Sequence, residues 1–244
     1  QRPARHGAEW VLIAKDYLVI LDQNGAPKHE ISFFDLLRGK IDLDKSPRLD
    51  NAEGTENKMA YFDPLHMNTL SIIREDHNEH FRRGRVLFAS RNLSLIGVLD
   101  LERKEVVWSW GAKHLDWPHQ PVLTDAGTIL IFDNGAHRTH SRILELEPLT
   151  GKILWEYRGD PPESFYSKTM GGIQLLANGN ILVTDSTRGR AFEITREGEI
   201  VWEYFNPDVD EQGQKRGAIY RMVRVGEEML PAHLWERLAT AQGD

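Results

Sequence analysis

One segment of this chain occurs three times. Glu105-Val-Val-Trp-Ser-Trp110, Lys152-Ile-Leu-Trp-Glu-Tyr157 and Glu199-Ile-Val-Trp-Glu-Tyr204 place Trp108, Trp155 and Trp202 at equal steps of 47 residues. A fixed period of this length constrains the fold before any local motif does, because such a unit buries its apolar face only against its neighbours. The first halves of the units agree as well. Gly84-Arg-Val-Leu-Phe-Ala-Ser90, Gly127-Thr-Ile-Leu-Ile-Phe-Asp133 and Gly179-Asn-Ile-Leu-Val-Thr-Asp185 each leave a Gly turn and run into a strand rich in β-branched residues. Each unit therefore reads strand, Gly turn, strand, short loop, strand, turn, strand. The turns Thr124-Asp-Ala-Gly127, Ala177-Asn-Gly179, Pro148-Leu-Thr-Gly151 and Arg196-Glu-Gly198 supply Asn, Asp and Gly where a hairpin needs positive φ.

Four strands per period predict an all-β fold, a β-propeller of four-stranded blades. Regularly spaced strands also build sandwiches and barrels. The aligned tryptophans and the length of the period favour the propeller. Glu9 to Ile31 reads as the later strands of a further unit, with Gln23-Asn-Gly25 as its hairpin turn, and Ala218 to Val225 as the inner strand of another. Three full units with partial ones at each end predict five blades, or six with sequence missing upstream. A single propeller domain over residues 1–244 is expected, with a long polar loop over 38–59 and a tail over 226–244, where Pro231-Ala-His-Leu-Trp-Glu-Arg-Leu238 has the makings of a short helix.

Composition narrows the function. A net charge of -7 and a pI near 5.8 argue against a nucleic-acid partner, which needs clustered Lys and Arg on one face. The short basic run Arg82-Arg83-Gly84-Arg85 follows acidic residues and reads as a solvated turn. With no cysteine, disulfides, thiolate metal sites and cysteine nucleophiles are excluded. No apolar run approaches the roughly 20 residues of a membrane-spanning helix. No signal peptide is visible, although the chain starts at Gln1 rather than Met. Nucleophile elbows, phosphate-cradling Gly loops and dinucleotide fingerprints are missing, so no cofactor is predicted. His77 and His80 read as solvated residues of a polar hairpin loop rather than metal ligands. Nothing in the sequence speaks to oligomeric state.

The repeat also says which residues should meet. The first strand of each propeller blade faces the axis, so equivalent positions near the strand starts converge. His66, in Asp63-Pro-Leu-His-Met-Asn68, and His119, in Trp117-Pro-His-Gln-Pro121, hold such positions in successive units. Gly171-Gly172 and Tyr220-Arg221 hold them in the next two. Asn68, two residues after His66, should share its strand face. Arg91 follows the second strand of its unit, where the others have Asn134 and Ser186, and offers a planar fork of donors for a sulfate, phosphate or carboxylate. His114, Asp116, His137, Arg138 and His140 are candidates for the rim. The plainer alternative is that the histidines fill a channel and satisfy backbone groups.

These residues resemble the bacterial arylsulfate sulfotransferases, six-bladed propellers that are generally periplasmic. The resemblance runs from about Tyr61 to Arg221. It rests on Asp63-Pro-Leu-His-Met-Asn68, on Ser90-Arg91, on the His119 region followed by Phe132-Asp-Asn-Gly135, and on Gly172-Ile-Gln-Leu-Leu-Ala-Asn-Gly-Asn180. It implies transfer of a sulfo group from a phenolic sulfate ester to a phenol without a nucleotide donor, through a sulfohistidine. By that resemblance His119 is the nucleophile, and His66, Asn68 and Arg91 hold sulfate oxygens. Thr169, Asn134 and Arg221 complete the candidate substrate-binding set. The implied partners are small aryl sulfates and phenols, and the implied location is periplasmic or secreted. The chain departs from the family pattern at Gln120, where members usually carry Asp, and has no counterpart between Gln1 and Leu37 for an earlier-blade histidine. The competing function is a related propeller without catalysis that binds a ligand or a protein partner. A quinone-type dehydrogenase propeller is disfavoured for want of calcium ligands.

Overall fold

In the computed structural model, which describes residues 2–6, 9–49, 60–226 and 229–241, the chain opens with two small sheets. β1 (Arg2–His6) pairs antiparallel with β2 (Glu9–Ile13). The hairpin of β3 (Tyr17–Leu21) and β4 (Pro27–Ser32) turns where Gly25, at φ 81°, donates its N–H to the Asp22 carbonyl. One helical turn follows, α1 (Phe33–Leu36), capped by the Ser32 hydroxyl. β5 (Arg48–Leu49) and β6 (Ala60–Phe62) then join the first sheet, with β6 parallel to β2. Residues Glu9 to Ile31, expected to form the later strands of one blade, are thus divided between a mixed sheet and a separate hairpin. The expected loop over 38–59 holds two short 3-10 turns and β5 up to residue 49; its remainder, 50–59, lies outside the described residues.

The three repeats fold as predicted. β7 (Met67–Ile72), β8 (Val86–Ser90), β9 (Leu95–Asp100) and β10 (Glu105–Trp110) form one antiparallel meander. β11 (Pro118–Leu123), β12 (Ile129–Asp133), β13 (Arg142–Glu147) and β14 (Lys152–Tyr157) form the second. β15 (Gly172–Leu175), β16 (Ile181–Asp185), β17 (Arg190–Ile194) and β18 (Ile200–Phe205) form the third. The fold is all-β, a β-propeller of four-stranded blades. The chain divides into two compact units, Gln1–Gly171 with the first two blades and Gly172–Asp244 with the third. Residues 218–225, expected as a further inner strand, form no strand. They are tied to the third blade by side chains, Arg224 N–H donating to Gln174 Oε1 at 2.8 Å and Met222 N–H to Thr184 Oγ1 at 2.9 Å. The short helix expected near 231–238 forms as α2 (Ala232–Ala241).

β8, β9 and β12 are buried along their whole length, which is why residues 86–89, 95–99 and 129–132 read as unbroken runs without polar side chains. Alternation divides them between two cores. Leu87, Ala89, Ile96 and Val98 of the first blade meet Ile129, Ile131, Leu144 and Leu146 of the second. Val86, Phe88, Leu95 and Leu99, on the opposite face, pack on Ile31, Phe33 and Leu37. Each fully buried aliphatic or Phe side chain contributes about 1.5–3 kcal/mol. Gly97 is required by this packing, since a Cβ there would meet the Phe88 ring at 2.6 Å.

The repeated tryptophan carries a repeated irregularity. In all three blades the pairing of the third and fourth strands slips next to it, leaving Val107, Leu154 and Val201 as the extra residue. A bulge increases the local twist and re-aims the side chains beyond it. In the first blade this brings the Trp108 indole N–H onto the Pro148 carbonyl of the next blade at 3.0 Å.

Candidate functional site

Bulges of the same kind build the site, on the innermost strands of the first two blades. β11 packs beside β7 and β8. The β7–β8 register slips between Met67 and Thr69, and the β11–β12 register between His119 and Val122. His66 (φ 48°), Trp117 (φ 58°), Gln120 (φ 40°) and Met170 (φ 61°) all occupy the left-handed region that side chains with a Cβ avoid. Such residues cost of order 1–3 kcal/mol each and persist where the surroundings over-determine them, commonly at functional sites.

His119 is held from one side. Its Nδ1 lies 2.7 Å from Asn134 Oδ1 and 3.2 Å from the Trp117 carbonyl oxygen. The Asn134 amide orientation follows from its other end, where Nδ2 donates to the Ser167 carbonyl at 2.7 Å and to the Met170 carbonyl at 2.5 Å. With the amide nitrogen committed to two carbonyls, the amide oxygen must face His119. Nδ1, facing two acceptors, must then carry the proton, and the lone pair sits on Nε2. Burial pushes the imidazolium pKa down to about 4; nearby Arg91 and His66 push the same way, while the bonds to Asn134 and Trp117 oppose the shift. His119 is therefore neutral across the physiological range. Asn134 is fully buried. The sequence had it touching substrate; its side chain instead orients the histidine.

His66 is held in a comparable way. Its Nδ1 lies 2.5 Å from Asp63 Oδ2, and its backbone N–H donates to Asp63 Oδ1 at 3.1 Å. A carboxylate at Nδ1 leaves Nε2 as the nitrogen open to a ligand. Asp16, in electrostatic reach of both residues, accepts the Met67 N–H at 3.4 Å, and burial raises its pKa.

Arg91 emerges where β8 ends, its backbone N–H bonded to the His66 carbonyl. Its guanidinium lies 4.3 Å from the Trp117 ring centroid, and its Nε donates to Asn92 Oδ1 at 3.0 Å. Stacking and this one bond hold the plane while the terminal nitrogens remain available for an anion. Asn68 clamps the two inner strands together, donating from Nδ2 to the Pro118 carbonyl at 2.9 Å and accepting from Thr69 Oγ1. Because His66 precedes β7 and Asn68 is the bulged residue, strand alternation does not relate the two side chains. The Thr69 hydroxyl also receives the Gln120 N–H at 3.1 Å. The Thr169 carbonyl accepts from Ser167 Oγ at 2.8 Å, beside the two carbonyls that grip Asn134. Arg221 is an exposed residue of the second unit.

Around this centre Asp133, fully buried, accepts from Arg142 Nε at 2.8 Å, Arg138 Nη2 at 3.0 Å and the Asp116 N–H at 2.7 Å. Asp116 in turn receives the His137 N–H and lies 2.8 Å from its ring, and His137 meets the Trp117 ring edge-on at 5.7 Å. Sequence reasoning overlooked Asp63 and Trp117. Asp63 stood in the quoted motif three residues before His66. Trp117, two residues before His119, carried no readable signal, because its positive φ is a tertiary feature. No group of three or more His, Asp or Glu among the described residues could hold a metal ion. No helix among them is long and apolar enough to cross a membrane.

The family model for arylsulfotransferases (ASST) matches residues 21–207, which include His66, Arg91, His119 and Asn134 but not Asp16 or Arg221. The chain belongs to the arylsulfotransferase family. Among solved structures, this arylsulfotransferase-family chain is similar to virginiamycin B lyase from Staphylococcus aureus, at 20% identity over 59% of this chain and 42% of that one, with a TM-score of 0.41. It is similar to a streptogramin B lyase at 20% identity, over 66% and 45% of the two chains, with a TM-score of 0.42. The Dos1 propeller matches at 15% identity, over 66% and 39%, with a TM-score of 0.38. The chain thus spans less than half the length of each of these structures. No curated protein sequence matches it.

Proposed function

We propose that this protein transfers a sulfo group from an aryl sulfate ester to a phenol, with His119 Nε2 as the nucleophile. The observation that carries the reading is the Asn134 clamp on Nδ1, which leaves a neutral imidazole with its lone pair on the other nitrogen. In the first half-reaction the Nε2 lone pair attacks sulfur. The S–O bond to the aryl group breaks, and the electron pair leaves on the phenolate. The N-sulfo ring keeps its Nδ1 proton and gains positive charge, which strengthens the bond to Asn134 Oδ1. In the second, the acceptor phenol oxygen attacks sulfur and loses its proton, and the N–S pair returns to Nε2.

Arg91 supports both steps as a positive, planar donor for the sulfuryl oxygens, whose charge must be met by groups already in place. His66, oriented by Asp63, is the candidate for taking up, through its free Nε2, the proton that the incoming phenol loses. No cofactor or metal enters this scheme. Periplasmic or secreted location, which the family resemblance implies, belongs to the same proposal.

The test incubates the protein with a chromogenic aryl sulfate, with and without a phenol acceptor, following phenol release and intact protein mass. Acceptor-dependent release with a one-sulfo adduct that disappears in His119→Ala is the expected result. No release and no adduct across several donors would sink the proposal and leave a propeller that binds without catalysis.

A further inference from the structure

The second unit holds a cluster of charge for which sulfo transfer has no use. A cleft of about 580 Å³ is lined by Arg188, Arg190, Lys215 and Arg216 around the Phe205 ring, with Glu203 as the one carboxylate. That volume falls in the range of small-molecule sites. Four of the lining residues are cationic and one is a carboxylate, on a chain whose net charge is -7.

The cleft is preassembled. Arg190 opens β17, opposite Phe205 on β18, and forms an ion pair with Glu203 at 2.5 Å. Its guanidinium lies 4.3 Å from the Phe192 ring centroid and 5.9 Å from that of Phe205. Arg216 lies over Phe205 as well, at 5.2 Å, and donates from Nη1 to the Asn206 carbonyl at 2.8 Å. The loop that carries Lys215 and Arg216 is fastened at both ends. Asn206 donates its N–H to the Gly189 carbonyl at 2.7 Å and its Nδ2 to the Gly217 carbonyl at 2.9 Å, and Asp210 Oδ1 accepts the N–H groups of Gln214 and Lys215. Gly189, in the left-handed conformation at φ 59°, lets this loop approach backbone to backbone, since a Cβ there would lie 2.3 Å from the Gly217 carbonyl oxygen. The Lys215 ammonium, exposed at the rim, makes no ion pair among the described residues.

We infer that this cleft binds a small polyanion presenting sulfate or phosphate groups beside an aromatic ring. Guanidinium forks match the oxygen spacing of both groups, and the part-exposed Phe205 face receives the ring. All of the residues that line it belong to the second unit.

The probes are benzene-1,3-disulfonate, whose sulfur–carbon bonds are not transferable, and inorganic pyrophosphate, each titrated calorimetrically into the full chain at low and physiological salt. Binding of either probe, weakened by salt and reduced about tenfold for each cation removed in Lys215→Gln and Arg216→Gln, is expected. His119→Ala should bind unchanged. Preference between the probes assigns the natural ligand to sulfate or phosphate chemistry. Failure of both probes to bind overturns the inference. So does binding that Lys215→Gln leaves unaltered, because that exposed side chain has no structural bond to lose, or binding abolished by His119→Ala.

Discussion

Replacing Asn134 by Asp changes one amide nitrogen into an oxygen and should move the acid limit of activity rather than abolish it. In the native site the amide oxygen accepts from His119 Nδ1 at 2.7 Å, and the imidazolium is suppressed to a pKa of about 4. A carboxylate in that place puts a full negative charge about 4 Å from the ring centre. At an effective dielectric of about 20 this stabilises the imidazolium by about 4 kcal/mol, equivalent to about 3 pH units. The second carboxylate oxygen then faces the Ser167 and Met170 carbonyls, which held the amide hydrogens, and their repulsion takes back part of the gain. The net expectation is an upward shift of about 2 pH units in the acid limb of kcat/KM.

The assay is the pH dependence of kcat/KM for a chromogenic aryl sulfate in wild type and Asn134→Asp, with ¹⁵N chemical shifts of His119 reporting the tautomer. Wild type should stay active down to about pH 5, whereas the variant should retain only about a tenth of its activity there and recover by about pH 7. Asn134→Leu removes the acceptor without adding charge. It should lose about 10²-fold in kcat/KM, with His119 no longer confined to the Nδ1–H form. An Asn134→Asp profile with an unmoved acid limb, or a wild-type His119 protonated on Nε2, would refute the reasoning whether or not transfer occurs.

The depressed His119 pKa also links stability to pH. The unfolded chain, with a histidine near 6.5, binds more protons than the folded one, so stability falls as pH drops from about 6.5 toward 4, by up to about 3 kcal/mol at the low end. Urea melts at pH 7 and pH 4.5 should show that loss for wild type and a smaller one for His119→Gln. Arg91→Lys keeps the charge but loses the Trp117 stack and the planar fork; kcat/KM should fall about 10²-fold or more with an unchanged melting temperature. Gly97→Ala drives a Cβ into the Phe88 ring and should cost about 1–3 kcal/mol by denaturant melt, with little effect on KM.

The blades were legible because a blade buries its strands through periodic local chemistry. Gly turns, β-branched runs and the 47-residue tryptophan step are all sequence-local signals, and each marks a strand or turn that forms. The same signals misled at the ends. Residues 9–31 carry a hairpin turn and apolar alternation, yet whether two strands share a sheet depends on a partner far away in sequence, and β2 found β6 instead of β3. Residues 218–225 have strand-like composition, but Met222 and Arg224 bond to side chains of the third blade rather than to a backbone ladder.

The site was legible in its residue types and not in its geometry, and the difference has one cause. Repeat equivalence singled out His66, His119 and Arg91, and the structure places Arg91 and His66 in electrostatic reach of His119. The equivalence assumed that side chains follow strand alternation, and the inner strands break that rule at Asn68 and Gln120, where the registers slip. Positive φ at His66, Trp117 and Gln120 re-aims the chain, at residue types that do not advertise it. Asn134, grouped with Arg91 by repeat position, therefore ends up under His119 rather than beside a substrate, while Trp117 turns its ring beneath Arg91. A strict repeat would have placed the same residue type in every blade and made no site. The departures from the repeat are what give one histidine a fixed tautomer and one arginine a fixed plane.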